Sequence, residues 1–149
     1  LDVTLTSQDD MLVSMNKILS ILKVSVAALG GISLLVGSVG ILAIMITTVR
    51  ERTAEIGLLR AIGAEKGLIR WLFLGEAIVL AMMGGLLGLL LLLFITFMLH
   101  IFIPQLPITI NIYFMLLAML ISAIIGLISG VAPAERAANL DPIQALHEE

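Results

Sequence analysis

The sequence predicts an all-α integral membrane protein with three transmembrane helices. Of its 149 residues, 60% are hydrophobic and 13% are charged, whereas about a quarter of the residues in a soluble domain are charged. Long uncharged runs alternate with one segment, residues 50–70, that holds eight of the nineteen charged side chains. A helix of about 20 apolar residues crosses the ~30 Å hydrocarbon core of a bilayer. A soluble fold of this size could not bury so much apolar surface.

The first seven residues predict a strand that ends an extracytoplasmic domain. Leu1, Val3 and Leu5 alternate with polar residues, which is the period of a half-buried strand. Because a lone strand is not stable in water, we interpret the chain as the C-terminal part of a longer protein. The alternative is an unstructured terminus.

Residues 8–23 predict an amphipathic stalk helix that continues into the first membrane span. Ser7 and Asp10 have the spacing of a helix N-terminal cap. Apolar residues then recur every three or four positions: Met11, Met15, Ile18, Leu19 and Leu22. Residues 24–49 contain no charge and predict the first transmembrane helix.

The remainder of the chain divides at its charges and prolines, with Pro133 expected to end the last membrane span. The predicted segments are a cytoplasmic helix region over 50–70, transmembrane helices over 71–99 and 112–132, an extracytoplasmic loop over 100–111 and a cytoplasmic tail over 133–149. Part of the tail, "LDPIQAL", is expected to form a short amphipathic cap or to touch a cytoplasmic partner.

Lysine and arginine near the helix ends predict the orientation of the chain. Five of them lie in residues 50–70, none lies in the loop over 100–111, and Arg136 lies in the tail. Because cytoplasmic loops carry the excess of positive charge, we expect a cytoplasmic C-terminus and an extracytoplasmic N-terminus. A further transmembrane helix upstream of Leu1 would explain how that N-terminus is translocated.

Composition argues against several other functions. A net charge of −3 without a basic tract gives no support to nucleic-acid binding, and the chain has no cysteine for a thiolate site. The sequence contains no catalytic motif, so we expect no enzymatic activity and no metal site in the chain itself. We interpret Glu76 and His100 as interfacial side chains rather than proton relays.

Small residues at helical spacing predict close helix packing, because they let helices approach in lipid. The alternatives are generic helix packing and a dimer seam or sliding interface between the first helix and its copy, which would lie at the dense small face of the first span. The residues are Gly30, Gly31, Ser33, Gly37, Gly40, Gly84, Gly88, Gly126 and Gly130.

The charged segment itself predicts a helix, because Ala, Leu, Glu and Arg dominate it. Its apolar residues do not fall on one clean face, which indicates more than one packing partner. The partners considered are the membrane surface and a soluble protein docked beneath it. The alternative is a short interfacial helix whose charges only set the topology.

Three stretches resemble the MacB/FtsX-type ABC transporter permease family. They are "ERTAEIGLLRAIGA" (51–64) with the preceding "GGISLLVGSVGILAIMITTV" (30–49), "LGEAIVLAMMGGLLG" (74–88) and the tail "PAERAANLDPIQALHEE" (133–149). The motifs occur in the family's order and spacing and together extend over nearly the whole chain. Ala54 stands where the family often has another charged residue, and we read it as tolerated variation.

The resemblance implies a permease with four transmembrane helices, of which this chain holds helices two to four. It also implies a homo- or heterodimer in a bacterial inner membrane, a cytoplasmic ABC ATPase that binds ATP and Mg²⁺, and in some cases a periplasmic adaptor. The charged segment would be the coupling helix, with Ile56, Leu59 and Ile62 as a hydrophobic plug. The residues implied to couple to the ATPase are Glu51, Arg52, Thr53, Glu55, Ile56, Gly57, Leu59, Arg60, Ile62 and Gly63.

The function implied by this resemblance is mechanotransmission in an exporter of drugs, peptides or similar amphiphiles. Cytoplasmic ATP binding and hydrolysis would drive a change of shape outside the membrane. The alternatives are an FtsX-like regulator that transmits force to cell-wall hydrolases and a lipoprotein-release permease. A membrane anchor without an ATPase is a further class, against which the coupling motif argues.

Overall fold

The chain forms four α-helices in the part that the structure, a computed structural model, describes. The backbone is described for residues 2–104 and 109–140, and the side chains from residue 10 onward within those ranges. The helices are α1 (Asp2–Glu51), α2 (Thr53–Ala61), α3 (Lys66–Phe102) and α4 (Ile112–Ala138). No strand occurs in these described ranges.

Three of the helices are long and apolar enough to cross a membrane, which confirms the predicted fold class. The candidate spans are Asp10–Glu51, Lys66–Phe102 and Ile112–Ala138. With three such helices, the chain is a multi-pass membrane protein. The structure begins α3 at Lys66 and ends it at Phe102, so this helix extends beyond the predicted 71–99 at both ends.

The predicted N-terminal strand is wrong, because residues 2–7 are helical and belong to α1. The helix start predicted at Ser7 is also wrong, since Ser7 lies inside α1. A strand needs a neighbour to accept its backbone hydrogen bonds, and the described part of the chain offers none. A helix makes these bonds within itself, so an alternating segment can join the helix that follows it.

The helix of the last span does not end at Pro133, because α4 continues through it to Ala138. Proline removes one backbone donor from a helix. The residues after it, Ala134, Ala137 and Ala138, are fully buried, and their packing favours continuation of the helix. The cap predicted over residues 140–146 lies almost wholly outside the described residues.

The chain divides into two compact units, Leu1–Gly37 and Ser38–Glu149. In the first unit, every described side chain from Asp10 to Gly37 is exposed. The second unit contains a core of buried side chains drawn from all four helices. The core residues are Met45, Val49, Ile56, Ile69, Phe73, Leu74, Ala77, Ala134, Ala137 and Ala138.

Close packing of α3 on α4 depends on small side chains. A Cβ placed on Gly130 would lie 2.5 Å from the Cβ of Ala77, and one on Gly126 would lie 2.6 Å from the Cβ of Ala81. The Ser122 hydroxyl donates a hydrogen bond to the carbonyl oxygen of Ala81 at 2.6 Å. The two helices therefore approach as closely as glycine and alanine permit.

Candidate functional site

The charged segment is built from the end of α1, the short helix α2 and the start of α3. Arg52 alone separates α1 from α2, with φ −102° and ψ 17°. The Thr53 hydroxyl lies 2.8 Å from the carbonyl oxygen of Arg50 and 3.0 Å from that of Val49. This side chain therefore satisfies carbonyl groups where α1 ends and α2 begins.

A glycine motif ends α2 and turns the chain into α3. The N–H of Ala64 donates to the carbonyl of Leu59 at 2.9 Å, and the N–H of Gly63 donates to that of Arg60 at 3.1 Å. This pair of bonds is the Schellman pattern, which requires a left-handed backbone conformation at the residue after the helix C-cap. Gly63 has φ +99°, which explains why glycine occupies it.

Helix α2 has an inner and an outer side. Ile56 is 2% exposed and belongs to the buried core, and Gly57 is buried beside it. Leu58, Leu59 and Ile62 are 58%, 41% and 75% exposed. At 3.6 residues per turn these three share one side of the helix. We call them the outer apolar face.

The structure separates the three residues predicted as a hydrophobic plug. Leu59 and Ile62 lie on the outer apolar face, whereas Ile56 is buried in the core of its own chain. Leu58 was not in the predicted set. Its position four residues before Ile62 places both on the same side of the helix, and that spacing is a signal that could have identified it.

The charged residues implied to couple to the ATPase also have different surroundings. The side chains of Glu51 and Glu55 are exposed. The Arg60 guanidinium turns back and donates from Nη1 to the carbonyl oxygen of Ala64 at 3.3 Å. Arg60 therefore stabilises the end of α2, where a cation also interacts favourably with the helix dipole.

Arg52 reaches from the start of α2 to the carboxylate of Glu76 on α3. Its Nη1 lies 4.0 Å from Oε2 of Glu76, and the two side chains are 53% and 37% exposed. Glu76 carries the only charge among residues 71–99. The interfacial position predicted for Glu76 thus comes with an ion-pair partner.

The predicted packing glycines fall into two groups. Gly126 and Gly130 lie against α3, as described above. At the other six, an added Cβ would meet nothing within 4 Å: Gly30, Gly31, Gly37, Gly40, Gly84 and Gly88. The Ser33 hydroxyl bonds the carbonyl of Leu29 in its own helix at 3.0 Å. A dimer seam at the open positions stays a prediction.

Gly85 is a packing position that the sequence analysis did not single out. A Cβ there would lie 2.6 Å from the hydroxyl oxygen of Ser122 on α4. The spacing of Gly84 and Gly88 drew attention to the neighbouring part of the helix surface. The Gly84-Gly85 pair itself was a signal that either residue could make the contact.

Comparison with known proteins identifies the family. The model for the FtsX-like permease C-terminal domain matches residues 27–142. The chain is 38% identical over 143 residues to the macrolide export ATP-binding/permease protein MacB 2 of Aeromonas hydrophila. It is also 38% identical over 143 residues to MacB of Escherichia coli, and 41% identical over 128 residues to MacB of Mannheimia succiniciproducens.

These alignments include most of this chain and a small part of each relative. They cover 96% of the chain and 22% of the relative for the Aeromonas and Escherichia proteins, and 86% and 20% for the Mannheimia protein. The chain thus spans about a fifth of the length of the curated relatives it matches. Its predicted family is confirmed: the chain belongs to the FtsX-like permease family.

Proposed function

We propose that the chain is the permease part of an ABC exporter, in which it couples a cytoplasmic ATPase to movement outside the membrane. The relatives are named as ATP-binding/permease proteins for macrolide export. Because the chain matches only about a fifth of them, the ATPase and the site for its ATP and Mg²⁺ belong to a partner chain or to another segment.

The outer apolar face of α2 is the observation that carries this proposal. Leu58 and Leu59 are exposed on α2, and Ile62 is exposed at its C-cap; an apolar surface with charged neighbours marks an interaction site. Glu51 and Glu55 are exposed near it. A groove on an ATPase subunit that is apolar at its centre and basic at its rim fits this surface.

The distribution of positive charge supports the cytoplasmic placement of this surface. Five lysine and arginine residues lie between positions 50 and 70, and none lies between 100 and 111. By the positive-inside rule, α2 and the end of α4 face the cytoplasm and the N-terminus lies outside. We infer a bacterial inner membrane and a dimer of permeases, with a periplasmic adaptor as a further partner.

The membrane spans support mechanical transmission rather than passage of a polar solute. Residues 24–49 contain no ionisable side chain, and residues 71–99 contain Glu76 alone. Transporters that pass ions or polar solutes place such groups along the pathway. The substrates proposed are drugs, peptides or similar amphiphiles taken up on the outer side of the membrane.

A second candidate is an FtsX-like regulator that transmits force to cell-wall hydrolases. The matching family model carries the FtsX-like name, and lipoprotein release would use the same kind of coupling. These functions share the membrane part described here and differ in the extracytoplasmic domain. A transport assay with macrolides in vesicles distinguishes export from force transmission alone.

Leu58→Asp in the full-length protein is expected to abolish binding of the ATPase. The substitution places a charge at the centre of an apolar contact, which costs several kcal/mol in an interface. Co-purification of the ATPase and ATP hydrolysis in nanodiscs measure the effect. If the ATPase is part of the same polypeptide, hydrolysis alone is the readout.

Leu68→Asp is the matched control for that experiment. Leu68 is also 58% exposed, but it lies in the first turn of α3. We expect this variant to keep most of the ATPase coupling. Equal loss in both variants, or no loss in Leu58→Asp, would contradict docking through α2.

A further inference from the structure

We propose that Arg52, Glu76 and Ile56 are positioning residues that fasten α2 to the α3–α4 pair, so that the three helices move as one body. The inference rests on the proposed function and assigns roles within it. In this account, displacement of α2 by the ATPase passes directly into α3 and α4. Arg52 then acts inside the permease and does not bind the ATPase.

The first set of contacts that holds α2 on α3 and α4 is apolar. Ile56 is 2% exposed and shares one buried cluster with Ile69 and Phe73 of α3. Ala134 and Ala137 of α4 belong to the same cluster and are fully buried. Close-packed interiors transmit displacement because their side chains have no room to yield.

The second contact between α2 and α3 is electrostatic and lies beside the apolar one. A cleft of ≈ 150 Å³ lies between α2 and α3. Its lining combines apolar side chains, among them Leu59 at the edge of the outer apolar face, with three charged ones: Ile56, Leu59, Leu72, Phe73, Arg52, Glu55 and Glu76. Within it, Arg52 lies 4.0 Å from Glu76. A carboxylate at the edge of an apolar span is costly without a cation nearby, which favours retention of this pair.

The third set of contacts fixes α3 to α4 at the same end. Arg70 Nη2 lies 4.0 Å from Oε1 of Glu135, and Lys66 Nζ donates to Oδ1 of Asn139 at 3.3 Å. Exposed pairs such as these contribute little singly. Together with the close glycine contacts of Gly126 and Gly130, they make the first turns of α3 and the last turns of α4 a common support for α2.

Distance measurements between spin labels test whether α2 keeps its position relative to α3. The chain has no cysteine, so Ala61→Cys on α2 and Val79→Cys on α3 can be labelled after replacement of any cysteine elsewhere in the full-length protein. Both native side chains are exposed. We expect one distance population that does not change when the bound ATPase closes on a non-hydrolysable ATP analogue.

Charge exchange identifies the residues responsible. Arg52→Glu is expected to add a longer distance population, since two carboxylates then face each other, and Arg52→Glu with Glu76→Arg is expected to remove it. The control is Arg52→Glu with Glu65→Arg, which has the same net charge. Glu65 is exposed and does not line the cleft, so this variant is expected to keep the longer population. Arg52→Glu should retain ATPase binding.

Several results would overturn the inference. In the native protein, a distance between the labels that shifts when the ATPase closes would do so. Among the variants, the contradicting results are an unchanged distance in Arg52→Glu and equal rescue by both double variants. Loss of ATPase binding in Arg52→Glu that Glu76→Arg does not restore would also contradict it. The label distances measured without the ATPase test the contact between α2 and α3 independently of ATPase binding. Failure of the native protein to bind any ATPase would instead contradict the proposed function.

Discussion

Ile56→Asp is expected to destabilise the fold of the second unit by about 3–5 kcal/mol. The side chain is 2% exposed and lies in the core that all four helices share. The substitution removes a buried apolar side chain and leaves an unpaired carboxylate in its place. Thermal unfolding of the purified protein in detergent measures the effect, and a large fall in the midpoint or loss of folded protein is expected.

Leu58→Asp provides the control, because it adds the same charge two residues away on the same helix. Leu58 is 58% exposed, and substitutions at exposed positions usually change stability by no more than about 0.5 kcal/mol. We expect a midpoint close to that of the native protein, together with the loss of ATPase binding described above. A stable Ile56→Asp protein would contradict the placement of α2 on the core.

Gly126→Ala combined with Gly130→Ala is expected to separate α3 from α4. The new Cβ atoms would lie 2.6 Å and 2.5 Å from the Cβ atoms of Ala81 and Ala77, and the first would also lie 2.8 Å from the carbonyl oxygen of Ala77. Alanine side chains and backbone cannot rotate away, so the helices must shift. Overpacking of this kind costs about 1–3 kcal/mol, which thermal unfolding in detergent can measure.

Gly84→Ala combined with Gly88→Ala has the same chemistry at the same spacing. Nothing lies within 4 Å of a Cβ at either position, so we expect the unfolding midpoint to be unchanged or higher. Loss of dimer without loss of midpoint would support a seam at these residues. An equal fall in both double variants would contradict the packing of α4 on α3 through Gly126 and Gly130.

Composition was sufficient to predict the membrane spans, because their lengths and lack of charge are set by the bilayer. The helical nature of the charged segment also followed from its residues. The errors lie where short-range patterns compete with longer-range contacts. Residues 2–7 alternate like a strand but continue α1, and Pro133 lies inside α4 because the alanines after it are buried in the core.

The candidate site was predicted in part. The sequence identified α2 as a helix with apolar residues on more than one side, and the structure shows which residues face inward. Ile56 faces the core and Leu58 faces outward, an assignment that depends on side chains of α3 and α4 far away in sequence. The pairing of Arg52 with Glu76 depends on the turn at Gly63, which brings α3 back beside α2.

Cysteine labelling of α2 shows whether Leu58 contacts the ATPase while Ile56 stays in the core of the permease. Ile56→Cys and Leu58→Cys would be made in the full-length protein after any other cysteine has been replaced, and labelled from the cytoplasmic side with a membrane-impermeant maleimide. We expect Leu58→Cys to be labelled without the ATPase and protected when the ATPase binds, and Ile56→Cys to be unreactive in both conditions. Labelling of Ile56→Cys that the ATPase blocks, or labelling of Leu58→Cys that the bound ATPase leaves unchanged, would contradict it.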